Sequence, residues 1–203
     1  MKIIADSMGI NILEVIDAAA TKPFGFTPFY PGPGIGGHCI PVDPFYLTYK
    51  AKEFGIHTRF IELAGEINYK VQNFVVNKTM LALNDIGKSL KNSRILALGV
   101  AYKKNIEDMR ESPSINIITK LKQKGAILDY HDPLVSVISL NWSQNSLQDT
   151  MESKEINPKA IASYDLILLL TDHDEVDYSM ILEHARLIID TRGRYKIVDS
   201  RLR

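Results

Sequence analysis

Residues 94–125, RILALGVAYKKNIEDMRESPSINIITKLKQKG, decide the fold. The near-continuous apolar run Arg94–Val100 predicts a strand covered on both faces. At the other end, Ser112 suits a helix N-cap and Pro113 a first helical residue. Ile115, Ile117, Ile118 and Leu121 then carry a helix to Gly125. The connection between them, 99–112, is longer and more charged than a strand-to-helix loop normally is.

Toward the C-terminus the same alternation continues. Ala126–Tyr130 reads as a second strand, Asp165–Leu170 as a third and Leu187–Asp190 as a fourth, with a helix over Tyr178–His184. Strands alternating with helices predict a doubly wound parallel sheet, a Rossmann-like α/β domain. The polar, weakly patterned stretch Val135–Lys159 predicts a loop or a short irregular element. In open α/β sheets ligands bind outside the carboxyl ends of the strands. Four segments belong there: 99–112, His131-Asp132-Pro133, Thr171-Asp172-His173-Asp174 and Asp190-Thr191-Arg192-Gly193-Arg194. Lys103, Lys104, Arg110, Arg192 and Arg194 could cluster at that edge, where the helix beginning at Ser112 adds its N-terminal dipole. A diphosphate site and a set of solvated surface ion pairs are the two readings of these charges.

Toward the N-terminus, Glu66–Ile86 contains no Gly or Pro, and Ala64, Ile67, Val71, Phe74, Lys78 and Leu81 recur at three and four residues. One long helix ending near Gly87 follows, either a domain linker and dimer seam or a buried core helix. Thr58 begins that element. A helix is expected from Pro44 to Gly55 with Asp43 as its N-cap. Thr21–Pro44 reads as loop. Lys2 to about Ala20 reads as one helix, carried by Ile3, Ile4, Met8, Ile12, Val15 and Ile16. It opens without a capping signal, which suggests an excised or truncated chain; a frayed N-terminal helix is the alternative.

Inside the loop lies residues 29–47, FYPGPGIGGHCIPVDPFYL, with the chain's one cysteine, Cys39. Glycines permit positive φ and close approach, and prolines stiffen the turn. Gly32, Gly34 and Gly37 satisfy G-x-G-x-x-G, but that fingerprint needs a strand before it and a helix opening on it. Pro33 and Pro41 speak against the helix, so the dinucleotide reading of this stretch is rejected. A rigid polar loop presenting one thiol reads instead as a nucleophile site. Positive neighbours and aligned N–H groups lower a thiol's pKa and stabilise a developing oxyanion. Asp43, four residues on, can orient a water or a base. His38, adjacent to Cys39, is expected to point away from it. A buried structural cysteine is the bland alternative. One Cys and scattered His lack a zinc spacing, so no metal site is expected.

Composition narrows the function classes. The 203 residues carry 24 basic and 24 acidic side chains, a formal net charge of zero. No basic field exists to neutralise a nucleic-acid backbone. The longest purely aliphatic run, Leu166–Leu170, is too short to span a bilayer. The N-terminus is patterned as a helix rather than a signal peptide. A single cysteine fits a reducing cytoplasm.

These motifs together resemble a known family. The run KPFGFTPFYPGPGIGGHCIPVDPFYL, then EINYKVQNFVV, GVAYKKNIEDMRESPS, YHDP, LLTDH and DTRG, is similar to the UDP-glucose/GDP-mannose dehydrogenase family. The GPG-x-GGHCIPVDP form looks nearest to its UDP-N-acetylglucosamine and UDP-N-acetylmannosamine 6-dehydrogenases of surface-polysaccharide synthesis. The resemblance implies a partial central helical domain over residues 1–90, with the long connecting helix, followed by a UDP-sugar-binding α/β domain over 91–203. It implies oxidation of C6 of a UDP-N-acetylhexosamine from alcohol to carboxylate with two NAD⁺, through a cysteine thiohemiacetal and thioester. Cys39 matches the family's nucleophile and Asp43 its assisting aspartate. Tyr30, Gly34, Gly36 and Gly37 match the loop along the sugar, Lys103 and Arg192 the UDP contacts, and Arg110 the arginine reaching the dinucleotide. A homodimer through the long helix is implied as well. The family's N-terminal NAD domain has no match in these residues, nor does the helix carrying its catalytic lysine and asparagine. The expectation is therefore a C-terminal part of the enzyme that is inactive alone. A non-catalytic UDP-sugar-binding and dimerising module is the second reading. An independent cysteine hydrolase ranks last, because no base with an orienting third group is recognisable.

Overall fold

The computed structural model describes residues 1–141, 148–196 and 199–202, in two compact units, Met1–Gly32 and Pro33–Arg203. The first unit holds α1 (Lys2–Ser7) and α2 (Ile12–Ala20). One helix was expected over this span. The break falls at Gly9, whose φ of 68° ends α1, and at Asn11, whose side chain accepts the Leu13 N–H to cap α2. A glycine stop followed by an Asx cap outweighs a continuous apolar period.

The second unit begins with α3 (Cys39–Glu53) and α4 (Arg59–Asp85). The helix expected from Pro44 starts five residues earlier, at the thiol itself. First-turn N–H groups have no intrahelical partner, so Pro41 costs nothing at the third position, and Pro44 forfeits one bond inside the helix. Asp43 is therefore one turn beyond Cys39 on the same face rather than a cap. With 27 residues, α4 runs from just after Thr58 to just before Gly87, as expected, and spans about 40 Å. It runs through Gly65, where a Cβ would overlap the Phe45 ring of α3.

The remainder is α/β: β1 (Arg94–Leu98), α5 (Pro113–Gln123), β2 (Ile127–His131), β3 (Val137–Asn141), β4 (Gln148–Glu152), α6 (Pro158–Ser163), β5 (Leu166–Leu169), α7 (Tyr178–His184) and β6 (Ile188–Asp190). Four strands form a parallel sheet in the order β2-β1-β5-β6. The direction of winding reverses between β1 and β5, which opens a crevice at their carboxyl ends. Alternate residues divide the core by face. Ile95, Ala97, Leu166 and Leu168 pack with Val75 and Val76 of α4 and Ile117 and Leu121 of α5. Leu96, Leu98, Ile167 and Leu169 pack with Ile161 of α6 and Tyr178 and Ile181 of α7. Both faces are dry, as the unbroken apolar strands require.

The stretch 135–159, expected as loop, instead contains the antiparallel pair β3–β4. Residues 142–147 lie outside the described residues. The hairpin buries Ile138, Leu140 and Met151 in the first core, so its alternation follows a two-residue period that the polar alternate positions obscure.

Candidate functional site

Three loops meet beyond the carboxyl edge of the sheet, and a fourth segment lies on them. The fourth is the glycine stretch leading to Cys39. Ile35 donates its N–H to Asn68 Oδ1 of α4 at 2.7 Å, and Asn68 Nδ2 donates back to the Ile35 carbonyl at 3.1 Å. Gly37 donates to the Arg110 carbonyl at 2.9 Å. A Cβ at Gly36 would sit 2.6 Å from Tyr102 Cβ and 2.7 Å from the Glu111 carbonyl oxygen. Gly34 lies against Pro113. Only glycine allows the backbone so close. The stretch before Cys39 is thus clamped between α4 and the β1–α5 connection.

From this clamp α3 departs, with Cys39 at its first position and exposed. The helix start leaves the Cys39 and Ile40 N–H groups free of intrahelical bonds, a setting that favours negative charge. His38 does not point away from the thiol, as expected from adjacency. His38 Nδ1 is 3.5 Å from Asp43 Oδ1, and donor atoms of His38, Cys39 and Asp43 lie within 4.8 Å of one another. The helix N-terminus turns His38, as the cap residue, back over the first turn. A thiol, an imidazole and a carboxylate therefore share one exposed corner, the group types needed to hold and activate a nucleophile.

Arg110 faces the same corner. Its guanidinium is bidentate on Asp108, with Nε donating to Oδ1 at 3.1 Å and Nη2 to Oδ2 at 2.6 Å. That bond holds its pKa up, with smaller contributions from the negative forms of Tyr102 and Cys39. Asp108 is held down by the same pairing.

On the sheet itself, Asp132 after β2 is buried, 3% exposed. It accepts from the N–H groups of Val100 (2.7 Å), Leu134 (2.9 Å) and Val135 (3.0 Å), and its Oδ2 is 3.1 Å from His173 Nε2. Burial pushes its carboxyl up, but the His173 bond and the backbone donors outweigh it and leave the group below the usual carboxylate range. Ser112, read as a side-chain cap, instead donates its hydroxyl to the Val100 carbonyl at 2.7 Å. Thr171 Oγ1 donates to Ala101 O at 2.7 Å. Lys103 projects from the loop so anchored and is exposed.

Arg192, after β6, lies along the same edge. Its Nε donates to the Leu170 carbonyl at 2.6 Å, while Asp190 accepts the N–H groups of Arg192 and Gly193, each at 2.8 Å. Burial pulls the guanidinium down, with Asp172 and Asp190 opposing. Its Nη2 is buried and has no hydrogen-bond partner among the described residues. A buried, unpaired guanidinium nitrogen at the end of a sheet is a costly arrangement unless a ligand completes it.

Of the predicted residues, the structure brings Gly34, Gly36, Gly37, Cys39, Asp43 and Arg110 to one side of the β1–α5 connection, and sets Lys103 and Arg192 on the carboxyl edge of the sheet. Tyr30 belongs to the first unit, where its hydroxyl donates to Asp17 at 2.7 Å. Asn68 was not singled out from the sequence, its signal being membership of the EINYK run. Asp132 and His173 were placed in the carboxyl-end segments 131–133 and 171–174, but neither was assigned a role.

The residues do not fit a nicotinamide dinucleotide. The G-x-G-x-x-G at 32–37 is followed by a helix after all, yet no strand precedes it among the described residues. The sheet's own first crossover carries the charged connection 99–112 instead of a glycine fingerprint.

Comparison with known proteins agrees with this architecture. Residues 96–197 match the UDP-glucose/GDP-mannose dehydrogenase family, UDP binding domain, and residues 1–70 match the central domain of the same family. The chain is 32% identical to UDP-N-acetyl-D-mannosamine dehydrogenase of Methanococcus vannielii, over 94% of this chain and 42% of that protein. It is 34% identical to UDP-N-acetyl-D-glucosamine 6-dehydrogenase of Pseudomonas aeruginosa, over 86% of this chain and 39% of that one. The solved UDP-D-ManNAc dehydrogenase of Pyrococcus horikoshii superimposes with a TM-score of 0.80 at 27% identity, covering 98% of this chain and 44% of that one. The chain therefore spans less than half the length of the relatives it matches. A match across half of its residues, in a fold with the same central and UDP-binding order, shows that this chain belongs to the UDP-glucose/GDP-mannose dehydrogenase family.

Proposed function

We propose that these residues form the central and UDP-sugar-binding part of an NAD-dependent UDP-N-acetylhexosamine 6-dehydrogenase. Residues 1–90 contribute the catalytic loop and a dimer seam, and 91–203 hold the UDP group. The observation carrying this reading is the clamp itself: the loop ending in Cys39 lies on the same β1–α5 connection that presents Lys103. A sugar whose diphosphate sits at the sheet edge can then extend its C6 toward the thiol. Cys39 is the nucleophile that captures the C6 carbonyl, and Asp43 assists as a base or by orienting water. Tyr30, Gly34, Gly36 and Gly37 line the sugar, and Lys103 and Arg192 bind the diphosphate and uridine. Arg110 serves the dinucleotide. NAD supplies hydride acceptance in the whole enzyme; the described residues offer it no berth, so the 203-residue chain alone is expected to form no NADH from UDP-N-acetylglucosamine or UDP-N-acetylmannosamine. Among the described residues no helix is long and apolar enough to cross a membrane. From the single cysteine and the family resemblance, the setting we assign is a cytoplasmic polysaccharide-precursor enzyme.

Calorimetric titration with UDP and UDP-N-acetylglucosamine tests the assignment. Wild type should bind both. Lys103→Ala and Arg192→Ala should each weaken binding about tenfold or more, the loss expected for hydrogen bonds to a charged group. Equal binding by all three proteins would remove both residues from the site. UDP-sugar binding with Cys39 no more reactive toward iodoacetamide than a free thiol would favour the non-catalytic module.

A further inference from the structure

The Asp132–His173 pair is buried beneath the site and performs no step assigned above. Its ring nitrogens are both committed. The Asn105 N–H donates to His173 Nδ1 at 3.0 Å. Nδ1 is therefore an unprotonated acceptor, and the ring proton sits on Nε2, donated to Asp132 Oδ2 at 3.1 Å. The ring is 1% exposed. Tyr178 fixes the backbone beneath it by donating its hydroxyl to the His173 carbonyl at 3.0 Å.

Consequences follow for the β1–α5 connection. Asn105 has a positive φ of 62° and ends the span that contains Lys103. On the other side of Lys103, Ala101 is fixed by Thr171 Oγ1 at 2.7 Å. Outside the ring, the Asn105 side chain and Asp174 exchange two hydrogen bonds, at 2.6 and 3.0 Å, but both residues are exposed and open to competition from water. His173 Nδ1 is the buried acceptor that fixes the far end of the span.

We propose that His173 is the positioning residue of the uridine diphosphate site, holding the Lys103 span at the sheet edge by accepting the Asn105 N–H while its other nitrogen donates to Asp132. This rests on the reading of that edge as the UDP site. The ring works only as the neutral Nε2–H tautomer, because a proton on Nδ1 would face the Asn105 N–H donor to donor.

Two side chains separate the halves of the ring. Asparagine places an acceptor oxygen near the Nδ1 position; glutamine places a donor near Nε2. UDP titration and amide hydrogen exchange at Asn105 are measured on wild type, His173→Asn, His173→Gln and His173→Ala. Expected are UDP affinity within about threefold of wild type in His173→Asn and about tenfold weaker in His173→Gln and His173→Ala, the loss of one hydrogen bond. Exchange at Asn105 should accelerate in the latter two only. Equal affinities across the four proteins, or Asn no better than Gln, would overturn the proposal. Should UDP bind none of them, the UDP reading fails on its own, and the Asn105 exchange pattern still decides whether His173 holds the span. Should the variants not fold, ¹⁵N spectra of the wild-type ring decide: a proton on Nε2 with a slowly exchanging Asn105 amide supports the proposal, and a proton on Nδ1 or an unprotected amide overturns it.

Discussion

Arg192 is half-buried and Asp132 buried, and these two ionised side chains differ in whether their partners are supplied. The Arg192 guanidinium has one bond to Leu170 and a buried Nη2 with no partner among the described residues. Leaving such a donor unmet costs about 1–3 kcal/mol. Replacing it with an apolar side chain of similar length should remove that cost. Arg192→Met is expected to raise the melting temperature by a few degrees in calorimetry while abolishing UDP binding; a lower melting temperature would mean the guanidinium is a structural group. Asp132 has every oxygen partnered, and its folded pKa lies below the ordinary carboxylate value. Its contribution is therefore fully present above the unfolded value of about 3.9 and is lost as pH falls through the lower folded value. Asp132→Asn keeps the shape but turns an NH₂ toward backbone donors. It should cost about 2 kcal/mol near neutrality, lowering the melting temperature by about 6 °C. The gap from wild type should narrow below about pH 4, as the wild-type carboxyl itself protonates. A gap constant with pH would show that the charge is not what stabilises the loops.

At the scale of elements, Gly36 carries the clamp. A methyl group there meets Tyr102 Cβ, the Glu111 backbone oxygen and Pro113 Cδ at 2.6 to 3.0 Å, none of them a flexible tip. The loop must lift rather than the neighbours yield. Gly36→Ala should therefore leave the sheet domain folded but lower the melting temperature by a few degrees, the roughly 1–3 kcal/mol of an overpacked contact. UDP-sugar affinity should fall at least tenfold while UDP affinity falls less, because the proposed function puts the sugar on the loop and the nucleotide on the sheet. Equal losses for both ligands would place the loop elsewhere. The same region shows what the sequence could and could not reveal. The sheet was legible because strands buried on both faces need unbroken apolar runs, as in Leu96–Val100 and Leu166–Leu170. The start of α3 was not, because Pro41 reads as a breaker and Pro44 as a first helical residue, whereas the first turn of this helix tolerates Pro41 and its interior holds Pro44. The β3–β4 hairpin was hidden by its polar outer face. Cys39 was readable as a candidate nucleophile from local chemistry, but the Asn68 anchor and the His173 ring act on segments 33 and 68 residues away, a relation that spacing cannot carry.

For the whole molecule, α4 has a buried inner side and an apolar outer side. The inner stripe Gln72, Val75, Val76, Thr79, Ala82 and Leu83 is buried. Another stripe repeats every seven residues, Phe60, Ile67, Phe74 and Leu81, with Leu63 beside its start. Phe60 is 89% exposed, Leu81 65% and Ile67 49%, while Phe74 is half-buried. A heptad stripe on a helix of about 40 Å is the pattern by which two helices interlock, so a homodimer through α4 is the expected assembly. Two copies would bury these side chains at roughly 1.5–3 kcal/mol each before the entropic cost of association. Sedimentation equilibrium of the chain at micromolar concentration should give a dimer. Ile67→Glu would set like charges facing across a two-fold seam, and Leu81→Glu would do the same at the other end. Each should shift the population to monomer with unchanged far-ultraviolet dichroism, because neither residue belongs to the buried stripe. UDP affinity should be preserved, since Lys103, Arg192 and the residues that hold them all lie beyond the sheet's carboxyl edge. A wild-type monomer, or a dimer indifferent to both substitutions, would assign the stripe to another partner and detach dimerisation from α4.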